Sequence, residues 1–314
     1  MRRALLVGID DYPGSPLSGC VADASTLAEL LATHEDGTLN FDCKTLLAPG
    51  AAVTQERMLE DVATLLGEPA DVALFYFSGH GTENNLGGFL VTQDAKKYNA
   101  GVAMRDVLTQ ARNSSVKEII LILDCCHSGL FGNLPEIDNT VVLREGISVL
   151  TASRGSQVAL EANGGGVFTS LVYDALHGGA ADISGNVTIA GVYTYADQAL
   201  GAWDQRPLFK AHVACFTPLR KCTPTIAPAV LRHLGKYFPT PIFELSLDAR
   251  YEPTNSAATP EHTAIFAHLQ KFRAARLLEP IGTEHMYYAA LEQRSCRLTA
   301  LGRFYWHLVK AKRI

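Results

Sequence analysis

Two continuous apolar stretches, "DVALFYFSGHG" (71–81) and "EIILILDCC" (118–126), constrain this chain more than any other feature. Neither alternates polar with apolar residues, so each reads as a strand buried on both faces, as in a parallel sheet covered by helices. Runs of the same kind fall at "RALLVGI" (3–9), "DCKTLLA" (42–48), "GISVLTAS" (146–153) and "KAHVACF" (210–216). Between them lie stretches with the helical period. "ADASTLAELLATH" places Leu27, Leu30 and Leu31 on one face. "TQERMLEDVATLLG" (54–67) does the same with Met58, Leu59, Val62, Leu65 and Leu66, behind a Thr54 cap. Residues 104–112 read as another helix, and "GGVFTSLVYDALHGG" (165–179) as one ended by Gly178 and Gly179. This alternation predicts an α/β sandwich with a mainly parallel sheet.

In such sheets ligands sit beyond the carboxyl ends of the strands. Two strands here end in chemically loaded sequence, "FYFSGHG" and "LILDCCHSG". A histidine between two glycines, Gly79-His80-Gly81, contributes little to packing. A cysteine after an apolar strand and before Ser-Gly is a candidate nucleophile, and together they supply a thiol and a base from two strand ends. The flanking glycines admit a close peptide backbone and leave main-chain N–H groups to face an oxyanion. Singly, each has a bland explanation: a cysteine at a strand end is commonly a small core residue, and a histidine beside glycine a turn residue. Cys125, Cys126 and His127 are adjacent and do not converge easily on one metal ion. Ser128 lacks the G-x-S-x-G elbow of a serine hydrolase.

"FYFSGHG" and "LDCCHSG" resemble the histidine and cysteine motifs of the caspase-like cysteine peptidases (peptidase C14, clan CD), most of all the metacaspase/orthocaspase branch. "LLVGIDDYPGSPLSGCVADASTLAELL" resembles that branch's first strand, its L-x-G-C-x-x-D-A loop and its first helix. "VLTASRGSQVALE" and "GVFTSLVYDAL" resemble the segments after the cysteine, so the likeness runs over about residues 3–220. It implies the caspase–haemoglobinase fold, a six-stranded and mostly parallel sheet between helices. It also implies that the nucleophile is Cys126, the third place of D-x-C-H-S-G, with His80 as its partner. Gly81 and Cys126 then supply the oxyanion N–H groups, and Cys125 by strand parity points the opposite way. The primary specificity pocket would be lined by Asp23, Ser78 and Asp124. Two carboxylates in one concavity repel unless a cation sits between them, so the pocket is expected to take Arg or Lys at P1 and to reject Asp. Asp23 also stands where it would serve as an N-cap for "ASTLAELL".

The chemistry needs no cofactor. Many members of the branch are activated by Ca2+, and Asp94 in "FLVTQDA" lies about where one ligand is found, but no partner set accompanies it and Asp106 is isolated. Such proteases are often cut between the cysteine motif and the next strand. There Arg144 is the one basic residue from Ser128 to Ser153, making Arg144–Glu145 the candidate self-cleavage bond.

The net charge of −5 conceals two unlike segments. Residues 1–224 carry 15 Lys+Arg against 25 Asp+Glu, and residues 225–314 carry 12 against 7. Residues 1–222 are therefore read as the catalytic domain, 223–230 ("TPTIAPAV") as a linker and 231–314 as a basic C-terminal module. A helix at 259–282, a two-stranded wing from "MYYAAL" and "SCRLTAL", and a closing helix "GRFYWHLVKAKR" outline a winged-helix-like module. Its expected role is recruitment of a partner protein, with docking on the acidic domain and nucleic-acid binding as alternatives.

"MRRALLVGID" turns acidic after about six apolar residues, too soon for a signal peptide. No stretch approaches a membrane span. Seven cysteines without framework spacing fit reduced thiols, which points to the cytoplasm. The expected function is a cysteine endopeptidase cleaving after Arg or Lys and activating a partner in bacterial cell death or anti-phage defence. The alternatives are an idle caspase-fold scaffold or a DNA-binding regulator.

Overall fold

The computed structural model describes residues 1–96, 99–125, 143–152, 161–162, 165–200, 206–214 and 216–314. It divides into two compact units: Met1–Ala181 with Asn186–Thr223, and Asp182–Gly185 with Pro224–Ile314.

The first unit is built on a six-stranded sheet of β1 (Arg2–Ile9), β2 (Asp42–Ala48), β3 (Val72–Ser78), β4 (Glu118–Asp124), β5 (Ile147–Thr151) and β6 (Leu208–His212). Their spatial order is β6-β5-β4-β3-β1-β2. All neighbours are parallel except β6, which runs antiparallel to β5 along the edge. Every residue of β3 and β4 is buried, as continuous apolar runs require when both faces are covered. One face packs on α2 (Gln55–Gly67) and α3 (Met104–Asn113) through Met58, Val62, Leu65, Val107 and Leu108. The other packs on α1 (Cys20–Ala32), α4 (Val167–Asp174) and α5 (Ile189–Leu200) through Leu27, Leu31, Phe168, Val172 and Val192. Each large side chain buried in these layers contributes about 1.5–3 kcal/mol, which makes the sheet the rigid platform for its strand ends.

The end points differ from the sequence expectation by a few residues. β3 stops at Ser78 and β4 at Asp124, before the motif residues rather than through them. The helix expected over 165–179 begins at Val167, and its last five residues widen into a π-turn that Gly178 closes at φ 130°. Beyond His80 the chain forms a small antiparallel sheet of Gly81–Asn84, Gly87–Leu90 and Val102–Ala103.

The second unit has its own core, in which Leu234, Phe238, Phe266, Leu269, Phe272 and Leu277 are fully buried. Its elements are α6 (Pro228–Leu231), α7 (Leu234–Tyr237), β7 (Glu244–Ser246), α8 (Pro260–Ala274), β8 (Leu278–Pro280), α9 (Met286–Leu291), β9 (Ser295–Leu298) and α10 (Ala300–Lys310). Three expectations are corrected here. The stretch read as a linker contributes to this core, since Ile226 is buried and α6 starts at Pro228. The helix read over 259–282 ends at Ala274, and Arg276 turns the chain at φ 59° into β8. The wing does not form. "MYYAAL" is the helix α9, because Met286, Ala289 and Ala290 recur at i, i+3 and i+4 and bury together, overriding the strand preference of the two tyrosines. β9 instead lies between β7 and β8 in an antiparallel sheet of order β7-β9-β8.

Candidate active site

The parallel register of β3 and β4 sets Ser78 opposite Asp124, so the two loaded sequences leave the sheet side by side. Gly79 then donates its N–H to the Asp124 carbonyl at 3.4 Å, and His80 follows in the turn to the small sheet. The imidazole is oriented from the loop after β1. Its Nε2 lies 2.8 Å from the Ser15 carbonyl. A carbonyl only accepts, so Nε2 carries the proton and Nδ1 is left as the basic nitrogen. Ser15 lies in the bend that follows the turn at Pro13 and Gly14, directly before Pro16.

Tyr12 braces the same turn. Its hydroxyl accepts the His80 backbone N–H at 3.1 Å and donates to the Val91 carbonyl at 3.1 Å. Its ring lies 4.6 Å from the imidazole, centre to centre, and burial pushes the phenol's pKa up, keeping it a neutral donor. The first glycine of the motif is explained here: a Cβ on Gly79 would strike the Tyr12 hydroxyl and come within 3.0 Å of the Phe77 ring. Val91 donates its N–H to the His80 carbonyl at 2.9 Å, which makes Gly81 and Leu90 the non-hydrogen-bonded pair of their ladder. That ladder places no demand on the Gly81 N–H.

The second half of the site is a pair of acids. α1 begins at Cys20, with Gly19 as the cap residue, so Asp23 lies inside the first turn and is not the N-cap. Asp10, at the end of β1, takes the capping role by accepting from Cys20 N at 2.8 Å and Val21 N at 3.4 Å. Asp23 is thereby released to face the site, where its Oδ2 accepts the Gly166 N–H at 3.1 Å. Asp124 is 7% exposed, and its Oδ2 accepts from Thr169 Oγ1 at 2.6 Å. A Cβ on Gly166 would strike Asp124 Oδ2 and stand 3.3 Å from Asp23 Oδ2, so both carboxylates converge on this backbone. The amino end of α4 thus supplies donors to both acids and offsets their repulsion. Ser78 is 3% exposed and hydrogen-bonded to Cys20. Burial pushes the Cys20 thiol up to about 12, against that bond, and the charges of Asp10, Asp124 and Asp23 raise it further. A protonated, inert Cys20 therefore lies among the acids.

Cys126, together with His127 and Ser128, lies outside the described residues. Cys125 is the last described residue of its segment, 1% exposed and packed with the core that contains Leu121 and Leu123. Asp94 is engaged in local structure: its Oδ1 accepts from the Thr92 hydroxyl at 2.6 Å and from the Gln55 N–H at 3.0 Å, at the start of α2. Among the described residues no group of three His, Cys, Asp or Glu could hold a metal ion. Asp106 pairs with Arg105 on the surface. Arg144 is not a free loop residue. Its guanidinium donates to the carbonyls of Val116 at 2.9 Å, Glu145 at 3.0 Å and Ala111 at 3.4 Å, and the chain enters β5 three residues later. As a P1 residue it would have to surrender all three bonds.

Sequence reasoning missed Asp10, Tyr12, Ser15, Tyr76, Thr169 and Gly166. The "DYPGSPLSG" stretch signalled turns, but nothing in it announced that a carbonyl and a phenol hydroxyl would meet the histidine.

A braced imidazole beyond the end of β3, with the buried Asp124 closing β4 beside it, lies at the carboxyl edge of a parallel sheet, where such folds place their active sites. The family model of the caspase domain (peptidase C14) matches residues 1–214, and the chain belongs to this family. It is similar to metacaspase-3 of Trypanosoma cruzi (strain CL Brener), 29% identical over 156 residues, covering 42% of this chain and 42% of the relative. Metacaspase-2 of Trypanosoma brucei brucei (strain 927/4 GUTat10.1) is 30% identical over 156 residues, covering 42% of this chain and 43% of the relative. The chain spans less than half the length of these relatives. The crystal structure of protein GSU0716 from Geobacter sulfurreducens superposes with a TM-score of 0.52 at 14% identity, covering 71% of this chain and all of that one, and shares the fold.

Proposed function

We propose that this chain is a cysteine endopeptidase that cleaves protein substrates after Arg or Lys. The observation that carries the reading is the convergence of Asp23 and Asp124 on one point, beside a histidine whose basic nitrogen is set by the Ser15 carbonyl. In this reading Cys126 is the nucleophile. The Cys126 thiolate attacks the scissile carbonyl, and the N–H groups of Gly81 and Cys126 stabilise the oxyanion. His80, having taken the thiol proton on Nδ1, returns it to the leaving amine as the C–N bond breaks. Water then attacks the thioester, gives a proton to His80, and frees the carboxylic product with the thiol restored. The P1 cation enters between Asp23 and Asp124 over Ser78, displacing the Gly166 N–H from Asp23.

The reading extends to a cytoplasmic protease whose basic second unit recruits a partner protein, activated by limited cleavage in bacterial cell death or anti-phage defence. None of the described helices is long and apolar enough to cross a membrane. A peptide library varied at P1, assayed with wild type and Cys126→Ala, tests the activity. Cleavage after Arg or Lys by wild type alone supports it, and efficient cleavage after Asp overturns it.

A further inference from the structure

Behind the acid pair lies a polar chain in an otherwise apolar layer. Tyr76 on β3 is completely buried, Thr169 on α4 is 3% exposed and Asp124 on β4 is 7% exposed. Thr169 Oγ1 stands 2.6 Å from Asp124 Oδ2 and 2.6 Å from the Tyr76 hydroxyl. Each hydroxyl has one proton. If Thr169 gives its proton to the carboxylate, it can only accept from Tyr76, so both protons point towards Asp124. Burial, together with the charges of Asp124 and Asp23, raises the Tyr76 phenol well above its ordinary value and keeps it a donor. Hydrogen bonds chained in one direction polarise one another and strengthen the last, which here ends on a carboxylate.

A buried carboxylate that receives a guanidinium must hold its plane, because the paired N–H···O bonds are directional. Fixing Oδ2 fixes that plane. We propose that Tyr76 and Thr169 are positioning residues for P1 recognition, a relay running Tyr76 to Thr169 to Asp124 that holds the carboxylate in the orientation an arginine-like cation requires. The inference rests on the reading of Asp124 as a P1 acid. The relay spans β3, α4 and β4, so the elements that form the core also aim the acid.

The test uses the full chain, agmatine as an arginine side-chain probe, and peptide pairs that differ only in P1 arginine against its neutral analogue citrulline. Thr169→Val keeps the shape and removes the donor. It lowers the arginine-over-citrulline ratio in kcat/KM, and the affinity for agmatine, by about tenfold or more, while Thr169→Ser stays within about threefold of wild type. Tyr76→Phe falls between the two. A folded Thr169→Val with the wild-type ratio and wild-type agmatine affinity overturns the relay. So does an equal loss of rate on both peptides, which marks a purely structural role. If Thr169→Val does not fold, Tyr76→Phe decides on the same readouts. A wild-type chain that neither binds agmatine nor cleaves after arginine removes the pocket reading itself and the relay with it. A wild type that does both, with unaffected variants, removes the relay alone.

Discussion

Ser78 faces Asp124 across the β3–β4 ladder, and each stands two positions before a residue assigned to the chemistry, His80 and Cys126. One register therefore sets Ser78 beside Asp124, two of the residues proposed to line the P1 pocket. A slip of either strand by one residue would turn that strand's side chains to the opposite face.

Cys126→Ala and His80→Ala should each abolish peptide cleavage, with thermal stability close to wild type. Cys125→Ala should do the reverse. Its thiol is 1% exposed in the core, so the substitution should cost about 1 kcal/mol of stability and leave most of the activity. Steady-state kinetics alongside denaturant melts separate the two cases. An inactive Cys125→Ala beside an active Cys126→Ala would reverse the assignment.

Asp124→Ala should reduce kcat/KM on P1-Arg peptides by about 2–5 kcal/mol of transition-state binding, the cost of truncating one side of a desolvated charge pair. Activity on P1-Asp peptides should stay absent. Rates on matched peptides check both statements, and a variant that still prefers Arg by the wild-type margin would refute the pocket assignment.

Tyr12→Phe removes a hydroxyl that accepts from His80 N–H and donates to the Val91 carbonyl. Leaving those backbone groups unpaired should cost about 1–3 kcal/mol of stability, and the loosened turn should lower kcat more than it raises KM. An unchanged kcat in a destabilised variant would confine Tyr12 to folding.

Arg144 is bonded to three carbonyls at the entry to β5, so incubation of the purified chain should yield no fragment ending at Arg144. Intact-mass analysis, with and without calcium and beside Cys126→Ala, reads this directly. A fragment ending there in wild type and missing from the variant would show that the anchor opens.

Native alkylation should be selective. Burial raises the thiols of Cys20 and Cys296 to about 12 and of Cys43 to about 11, so at pH 8 all three remain protonated and unreactive. Their labelling should rise only as pH approaches those values, whereas Cys126, the proposed nucleophile, should react at neutral pH. Peptide mapping after brief iodoacetamide treatment distinguishes them.

The sequence by itself determined the sheet, because continuous apolar runs such as 72–77 and 119–123 are stable only when both faces are covered. It also located the strand ends at "SGHG" and "DCC", since glycine and charge interrupt the apolar runs there. What it left open depends on side chains far apart in the chain. Asp23 had the local signature of a cap, but Asp10 reaches α1 from the end of β1 and takes that duty, leaving Asp23 to Gly166. "MYYAAL" had strand-forming residues, and only the core of the second unit selected the helix. Ser15, Tyr12 and Thr169 carry no motif, because a carbonyl, a phenol or a hydroxyl acquires its role from the atom it meets. Those meetings are long-range hydrogen bonds set by packing, and packing was decided only when α1, α4 and the sheet closed on one another.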